Sequence, residues 1–248
     1  MAYSLTDLHT HILPGVDDGA QDLETSLQML RMEKESGVDR VALTPHFYPL
    51  REESGAFIDK RQQAYETLLS AWDGETMPEL KLGAEVRYSP GLAELDLRQL
   101  TIGNSDYMLL ELSNTEIPVY IDSVLDIILS QGITPILAHI ERCTYFRKKP
   151  EMLCDLIRRG ALAQVSAKAF QRKNDIKFIY PCLLNGLVHF AASDIHTPQA
   201  GNGLGEIAEE LDGEVVRRAE GFAKAVWDNE CPPAFAICEL KRTLFGYR

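Results

Sequence analysis

Seven short apolar, β-prone runs recur along this chain, and between them lie longer helix-like stretches. That alternation constrains the fold more than any other feature. The runs cover residues 5–9, 40–44, 80–85, 107–111, 134–138, 161–166 and 187–193. Residues 23–35 place Leu23, Leu27 and Leu30 on one helical stripe, with Met29 and Met32 less regular, and stop before Gly37. The stretches 121–129, 152–159 and 176–184 stop at Gln131-Gly132, Gly160 and Asn185-Gly186. Glycine suits these stops because a helix commonly ends in a left-handed residue that tolerates no Cβ. A β-run, helix, β-run repeat predicts a mostly parallel sheet. Seven such units in 248 residues predict one closed or nearly closed barrel domain over residues 1–248, with an open doubly wound sheet as the alternative. No Ser/Gly/Pro-rich tract or charge run marks a linker. The tail from about 206 to 248 reads as a helical segment packed on the barrel, broken at Pro232-Pro233. The flexible-looking 201–205 (GNGLG) lacks the spacing of a dinucleotide fingerprint.

Composition narrows the function. The formal net charge is -12, which argues against a nucleic-acid backbone as partner, since phosphate tracking needs a basic stripe. The cysteines Cys143, Cys154, Cys182, Cys231 and Cys238 are odd in number and contain no C-x-x-C pair, so a disulfide framework and a thiolate zinc site are not expected, and buried free thiols are. No run approaches the roughly 18 apolar residues of a membrane span. The start, MAYSLTDLHTH, has no basic region followed by an apolar core. The chain reads as cytoplasmic.

The polar residues cluster where barrels and open α/β sheets build their sites, at the C-terminal ends of strands. In chain order these ends carry Asp7-Leu8-His9-Thr10-His11 with Asp17-Asp18-Gly19 after it, Pro45-His46, Ala84-Glu85, Leu110-Glu111, Ala138-His139-Ile140-Glu141-Arg142 and Ser193-Asp194-Ile195-His196. Six of seven ends therefore offer a metal-type ligand; the exception ends near Ser166 and Lys168. His9 and His11 stand two apart, so in extended chain both face one side, and Asp194 and His196 repeat the spacing. Imidazoles with carboxylates are the ligand set of borderline divalent metals. The sixth histidine, His189, lies near the start of its run and is read as structural, at the opposite pole.

These motifs resemble the PHP (polymerase and histidinol phosphatase) superfamily, and within it the metal-dependent protein-tyrosine phosphatases of bacterial capsular and exopolysaccharide loci. The carriers are DLHTHILPGVDDGAQDLETSLQML, VALTPHFYP, GAEVRYSP, LLEL, ITPILAHIERC and LVHFAASDIH, spanning roughly residues 5–200. The resemblance implies a distorted (β/α)7 barrel holding up to three divalent metals, with manganese the leading expectation and iron, cobalt or zinc the alternatives. The implied ligands are His9, His11, Asp18, His46, Glu85, Glu111, His139, Asp194 and His196. Asp18 is chosen over Asp17 because it directly precedes Gly19, leaving Asp17 a supporting role. Arg142 matches an arginine that holds the substrate phosphate, and Arg87 is a candidate helper. The sequence departs from the pattern at Thr197, where Asn is usual, and at 198–201, where a second arginine is often found. Cys143 also replaces a frequent aromatic.

The implied chemistry is phosphate-ester hydrolysis on a phosphotyrosine-bearing protein tail, such as that of a bacterial tyrosine kinase of capsule synthesis. The alternatives are a small-molecule phosphatase of the histidinol-phosphate or phosphoesterase type and a non-catalytic regulatory barrel. Glu141 is a candidate to orient an imidazole, and Lys168 and Arg172 are weaker candidates for the phosphate-holding role, read first as surface charges. A cysteine phosphatase is excluded: it needs C-x5-R, and six residues after Cys143 stands Lys149.

Overall fold

The structure, a computed structural model, describes residues 4–73, 76–234, 236–243 and 246–247. Its elements run β1 (Leu5–Thr10), α1 (Leu23–Glu35), β2 (Val38–Leu43), β3 (His46–Phe47), α2 (Ser54–Ala71), β4 (Glu79–Leu82), β5 (Glu85–Arg87), β6 (Tyr107–Glu111), α3 (Ile121–Ser130), β7 (Thr134–Leu137), α4 (Thr144–Lys148), α5 (Pro150–Arg158), β8 (Leu162–Ser166), α6 (Lys173–Leu184), β9 (Phe190–Ala192), α7 (Leu204–Glu210) and α8 (Gly213–Asp228). Short 3-10 turns fill several of the connections.

The strands from β1 to β9 pair only in parallel, as β1-β2-β4 and β3-β5-β6-β7-β8-β9. Backbone bonds carry one set into the other: the Gly83 N–H donates to the Leu43 carbonyl, and the Glu85 N–H to that of Pro45. At the far edge, Asp194 N–H donates to His9 O and His11 N–H to Ile195 O, at 2.9 and 3.0 Å. The sheet therefore curls until its last strand lies beside its first.

Alternation divides the core. Leu8, Leu109, Ile136, Leu162 and Phe190 pack together inside the curl, while Met108, Leu110, Leu137, Ala163 and Val165 pack outward against the helices. Helix α8 lies across one end of the inner core through Phe222, Ala223, Val226 and Trp227. The expected helical tail is helical only as far as Asp228. Beyond the Pro232-Pro233 break the described residues form no further helix, and Arg242–Thr243 pairs antiparallel with Gly246–Tyr247. Proline without an N–H cannot continue a helix.

Helix α1 forms where the sequence places it. Asp22 caps it by accepting from the Thr25 N–H at 2.8 Å, and Gly37, at φ +82°, lets the chain turn into β2. Helix α2 was not legible. Its inward positions are Phe57, Arg61, Ala64 and Leu68, so a guanidinium interrupts the apolar stripe. Arg61 is nonetheless buried, donating to the carbonyls of Gly83 at 2.6 Å and Gln99 at 2.9 Å. The GNGLG stretch is pinned rather than loose: Asn202 is buried, donates to Glu33 at 3.0 Å and accepts from Leu204 N–H at 3.1 Å.

His189 is buried beside Phe222, with Nδ1 accepting from the Ala163 N–H at 2.9 Å. Burial pushes its pKa down to about 4, against about 6.5 for an unfolded chain. A folded pKa below the unfolded one means the unfolded state binds the extra proton. Stability is therefore complete above about pH 6.5 and falls as the pH drops toward 4, by up to about 3 kcal/mol. Urea unfolding of the metal-free protein across this window should show that slope flattened in His189→Asn. Parallel profiles for the two proteins would refute the assignment.

Candidate metal centre

The strand-end residues meet above the inner core, at the pole away from α8. His9 and His11 come from the end of β1, where the β1–β2 register shifts between Asp7 and Thr10; such irregularities re-aim side chains near sites. His46 begins β3, Glu85 begins β5 and Glu111 ends β6. His139 and Asp194 follow β7 and β9 in the left-handed region, at φ +32° and +53°. Such backbone costs about 1 kcal/mol or more per residue and collects at functional sites.

All nine residues proposed as ligands are brought together. Glu85, fully buried, is the hub: its carboxylate lies 3.3 Å from His9 Nε2, 3.4 Å from His11 Nε2, 2.8 Å from His46 Nδ1 and 2.8 Å from His139 Nε2. Asp194 Oδ1 lies 3.4 and 3.5 Å from the same His9 and His11 nitrogens. Glu111 sits 3.9 Å from His139 Nε2. Asp18, mostly exposed, reaches 3.5 Å from His46 Nε2 and 3.7 Å from His196 Nε2. Three overlapping groups could each hold a metal ion: His11/Asp18/His46/His196, His9/His11/Glu85 and His46/Glu85/Glu111.

The hydrogen-bond network tests whether the donor set fits a cation. His11 Nδ1 lies 2.6 Å from Asp17 Oδ2, and His9 Nδ1 lies 3.3 Å from Gln164 Oε1. These partners accept only, so each Nδ1 carries the hydrogen in a neutral ring. The two Nε2 lone pairs then face each other at 3.1 Å, with Glu85 Oε2 and Asp194 Oδ1 each within 3.5 Å of both nitrogens. Neither carboxylate oxygen has a hydrogen-bond partner among the described residues. Two imidazole nitrogens and two carboxylate oxygens packed this closely in a buried site favour a positive charge among them. The electrostatics agree. Burial alone would lower the His11 pKa, but Asp17, Asp194 and Glu85 override it and raise it well above the ordinary value. Burial would raise Glu85, yet His9, His11, His139 and His46 hold it well below the carboxylate range.

The supporting residues are partly those the sequence pointed to. Asp17 accepts from His46 N–H at 2.9 Å and Gly19 N–H at 3.0 Å besides His11, which occupies it and leaves Asp18 to face His46 and His196. Gly19 is required by close approach, since a Cβ there would stand 2.1 Å from the His11 carbonyl oxygen. Glu141 makes no hydrogen bond to an imidazole among the described residues: it is buried and accepts from Ser166 N–H at 3.3 Å. Gln164 takes that part, holding His9 through Nδ1 and His139 through its backbone N–H at 2.9 Å. Asp7 is a second residue missed; its carboxylate accepts from the N–H groups of His9 and Ser193, both at 3.1 Å, tying β1 to β9 beneath the ligands. The available signal was a glutamine inside the largely apolar run of β8 and an aspartate two residues before His9 in β1.

Two arginines flank the cluster. Arg142 donates to Ser166 Oγ at 3.2 Å and pairs with the outer oxygen of Asp194. Arg87 is no free loop charge, because it pairs with Glu111 Oε1 at 2.9 Å. Cys143 is buried and burial pushes its thiol up to about 11, so it is no nucleophile near neutral pH. Cys143→Ser is expected to keep its activity; loss of turnover with folding and metal content intact would reopen the thiolate route. Cys154 and Cys182 are buried as expected, whereas Cys231 and Cys238 are exposed.

Residues 5–209 match the family model described as capsular polysaccharide synthesis, CpsB/CapC. The tyrosine-protein phosphatase YwqE of Bacillus subtilis strain 168 is 30% identical over 206 residues, covering 80% of this chain and 80% of that protein. The tyrosine-protein phosphatase CpsB of Streptococcus agalactiae serotype V is 30% identical over 206 residues, covering 77% of this chain and 83% of that protein. The fold is similar to a solved structure from work on YwqE of Bacillus subtilis and CpsB of Streptococcus pneumoniae, described there as unique metal-dependent tyrosine phosphatases. The TM-score is 0.83 at 24% identity, with 96% of this chain and 100% of that one covered.

Proposed function

This chain belongs to the CpsB/CapC family of capsular polysaccharide synthesis, and from that premise we propose that it is a metal-dependent protein-tyrosine phosphatase. Its substrate is a phosphotyrosine-bearing bacterial protein, a tyrosine kinase of capsule or exopolysaccharide synthesis, met in the cytoplasm. The observation that carries the proposal is the buried cluster in which Glu85 Oε2 and Asp194 Oδ1 each lie within 3.5 Å of both His9 Nε2 and His11 Nε2, with the Arg142 guanidinium at its edge. We read the curled sheet as the seven strand positions of a distorted (β/α)7 barrel, with β2–β3 and β4–β5 each one interrupted strand. The whole of 1–248 is taken as that single domain. Among the described residues no helix is long and apolar enough to cross a membrane.

His9, His11, Asp18, His46, Glu85, Glu111, His139, Asp194 and His196 are the residues that would hold up to three divalent ions, manganese first among them. Such ions supply an acidified water and positive charge for the phosphoryl oxygens, which is what hydrolysis of a phosphate monoester lacks in water. The protein's own part is positional. Asp17 and Gln164 fix the His11 and His9 rings with Nε2 turned inward. Arg142 offers a planar fork for two phosphate oxygens, and Arg87 stands ready on the opposite flank. A protein substrate is favoured over a small phosphate ester by the rim beside Arg87. There a cavity of about 410 Å³ is lined by Tyr48, Leu50, Arg87 and Tyr88, and Tyr88 donates to the Val119 carbonyl. Leu50, Val119 and Tyr120 are 86%, 61% and 71% exposed, an open apolar shelf suited to a polypeptide beside its phosphotyrosine.

The test is hydrolysis of a phosphotyrosine peptide and of histidinol phosphate by metal-stripped protein with manganese added back. Activity restored on the peptide, and weaker on histidinol phosphate, is the expected result. Preference for histidinol phosphate would move the chain to the small-molecule class. Inertness on every phosphate ester would leave the non-catalytic barrel.

A further inference from the structure

Beside the metal centre lies a cavity of about 260 Å³ lined by Arg142, Ser166, Lys168, Arg172, Asp194 and His196 among others. Three cations around one cavity are unusual for a chain of net charge -12. Two of them are engaged: Arg142 with Asp194, and Arg172, at the exposed mouth, with Asp175 at 3.7 Å. Lys168 is different. Its ammonium makes no hydrogen bond or ion pair among the described residues, although Asp194 and Glu33 lie within electrostatic reach. The side chain is half-buried, and burial pulls its pKa below the usual lysine value. A lysine of the outer surface would extend into water, where its charge is cheapest. This one is held at the end of the only predicted strand without a metal-type residue, by the 3-10 turn Ala167–Gln171. Gly203, whose Cβ would stand 3.3 Å from Ala167 Cβ, packs against the base of that turn.

We infer that Lys168 is a phosphate-binding residue of this site, facing Arg142 across the cavity so that the phosphoryl group of the substrate lies between the two cations and the metal ligands. The assignment rests on the phosphatase reading above. It takes the weaker of the two sequence readings of Lys168, a phosphate-holding role rather than a surface charge, and it gives the half-desolvated ammonium a counter-ion: the dianionic phosphate itself. Arginine and lysine then divide the work. Arg142 fixes the orientation of two oxygens through its fork, while Lys168 supplies a compact point charge with three rotatable donors that can follow the phosphate as it leaves.

The experiment uses the manganese-loaded full chain. The inhibition constant of inorganic phosphate, and kcat and KM for a phosphotyrosine peptide, are measured for wild type, Lys168→Gln and Lys168→Arg. Lys168→Gln should raise the phosphate inhibition constant and KM about tenfold or more, the scale of one charge-assisted contact, with metal content unchanged. Lys168→Arg should recover most of the loss. A phosphate inhibition constant unchanged in Lys168→Gln overturns the assignment, as does an arginine variant no better than glutamine. A second readout needs no variant: acetylation of the wild-type protein, mapped by mass spectrometry, should show Lys168 protected by saturating phosphate. Absence of protection in a wild type that hydrolyses phosphotyrosine overturns this inference alone. A wild type that neither hydrolyses phosphotyrosine nor binds phosphate overturns the phosphatase reading and this one with it.

Discussion

Glu85→Gln is expected to lower phosphotyrosine hydrolysis by about 10³-fold and to strip the protein of at least one bound divalent ion. The physical case is local. The Glu85 carboxylate is completely buried and lies within 3.4 Å of four imidazole nitrogens, those of His9, His11, His46 and His139. It belongs to two of the three groups of side chains able to hold a metal ion. Glutamine matches its size, so the core around it keeps its packing. What changes is charge and donor sense: one negative charge vanishes from a buried site, and an NH₂ group enters where lone pairs converge. A cation loses a ligand and gains a repelling dipole. Metal catalysis of this kind contributes several kcal/mol of charge stabilisation, and each 1.36 kcal/mol is tenfold in rate. Circular dichroism should stay native, while metal analysis and turnover fall together. A Glu85→Gln protein with full metal content and near-wild-type turnover would remove Glu85 from the ligand set and take the hub of this site with it.

Most of that hub can be read from the chain because strand ends are where a parallel sheet must put its chemistry. Short apolar runs fix where strands stop, and the polar residue just past each stop is then a site candidate. His9, His46, Glu85, Glu111, His139 and Asp194 follow from that rule, and all six meet in space. Three things were hidden, each for a physical reason. Helix α2 escaped notice because Arg61 occupies an inward position, paired with backbone carbonyls that no local pattern reveals. Gln164 was hidden because its partners lie 25 or more residues away in sequence, and Asp7 because its bond to Ser193, which ties β1 to β9, spans 186 residues. The half-burial of Lys168 was hidden because periodicity says which face a side chain takes but not whether the far wall of a cavity half-covers it. The tail beyond Asp228 shows the opposite failure: the helix does not resume after Pro232-Pro233 among the described residues, and the local pairing of Arg242–Thr243 with Gly246–Tyr247 takes its place.

Arg142→Ala is expected to cost about 10² to 10³ in kcat/KM for a phosphotyrosine peptide, the range seen when one preorganised donor to a developing charge is removed. Arg142→Lys should recover little of it, because an ammonium cannot present two parallel N–H groups to two phosphate oxygens. The argument must separate two parts that Arg142 could play, since its guanidinium also pairs with Asp194, itself a proposed ligand. If Arg142 served chiefly to hold Asp194 for the metal, its loss would release metal, and added manganese would rescue turnover. If it binds phosphate, metal content stays full, manganese rescues nothing, and inhibition by inorganic phosphate weakens in step with kcat/KM. We expect the second pattern, because the Asp194 backbone is already fixed by its N–H bond to the His9 carbonyl at 2.9 Å. Combining Arg142→Ala with Lys168→Gln then sharpens the case. Two cations gripping one phosphoryl group should give a double variant that deviates from the sum of the single losses by 0.5 kcal/mol or more, the mark of residues sharing a partner. Strict additivity, with phosphate inhibition untouched by Arg142→Ala, would place the substrate phosphate elsewhere on the metal cluster.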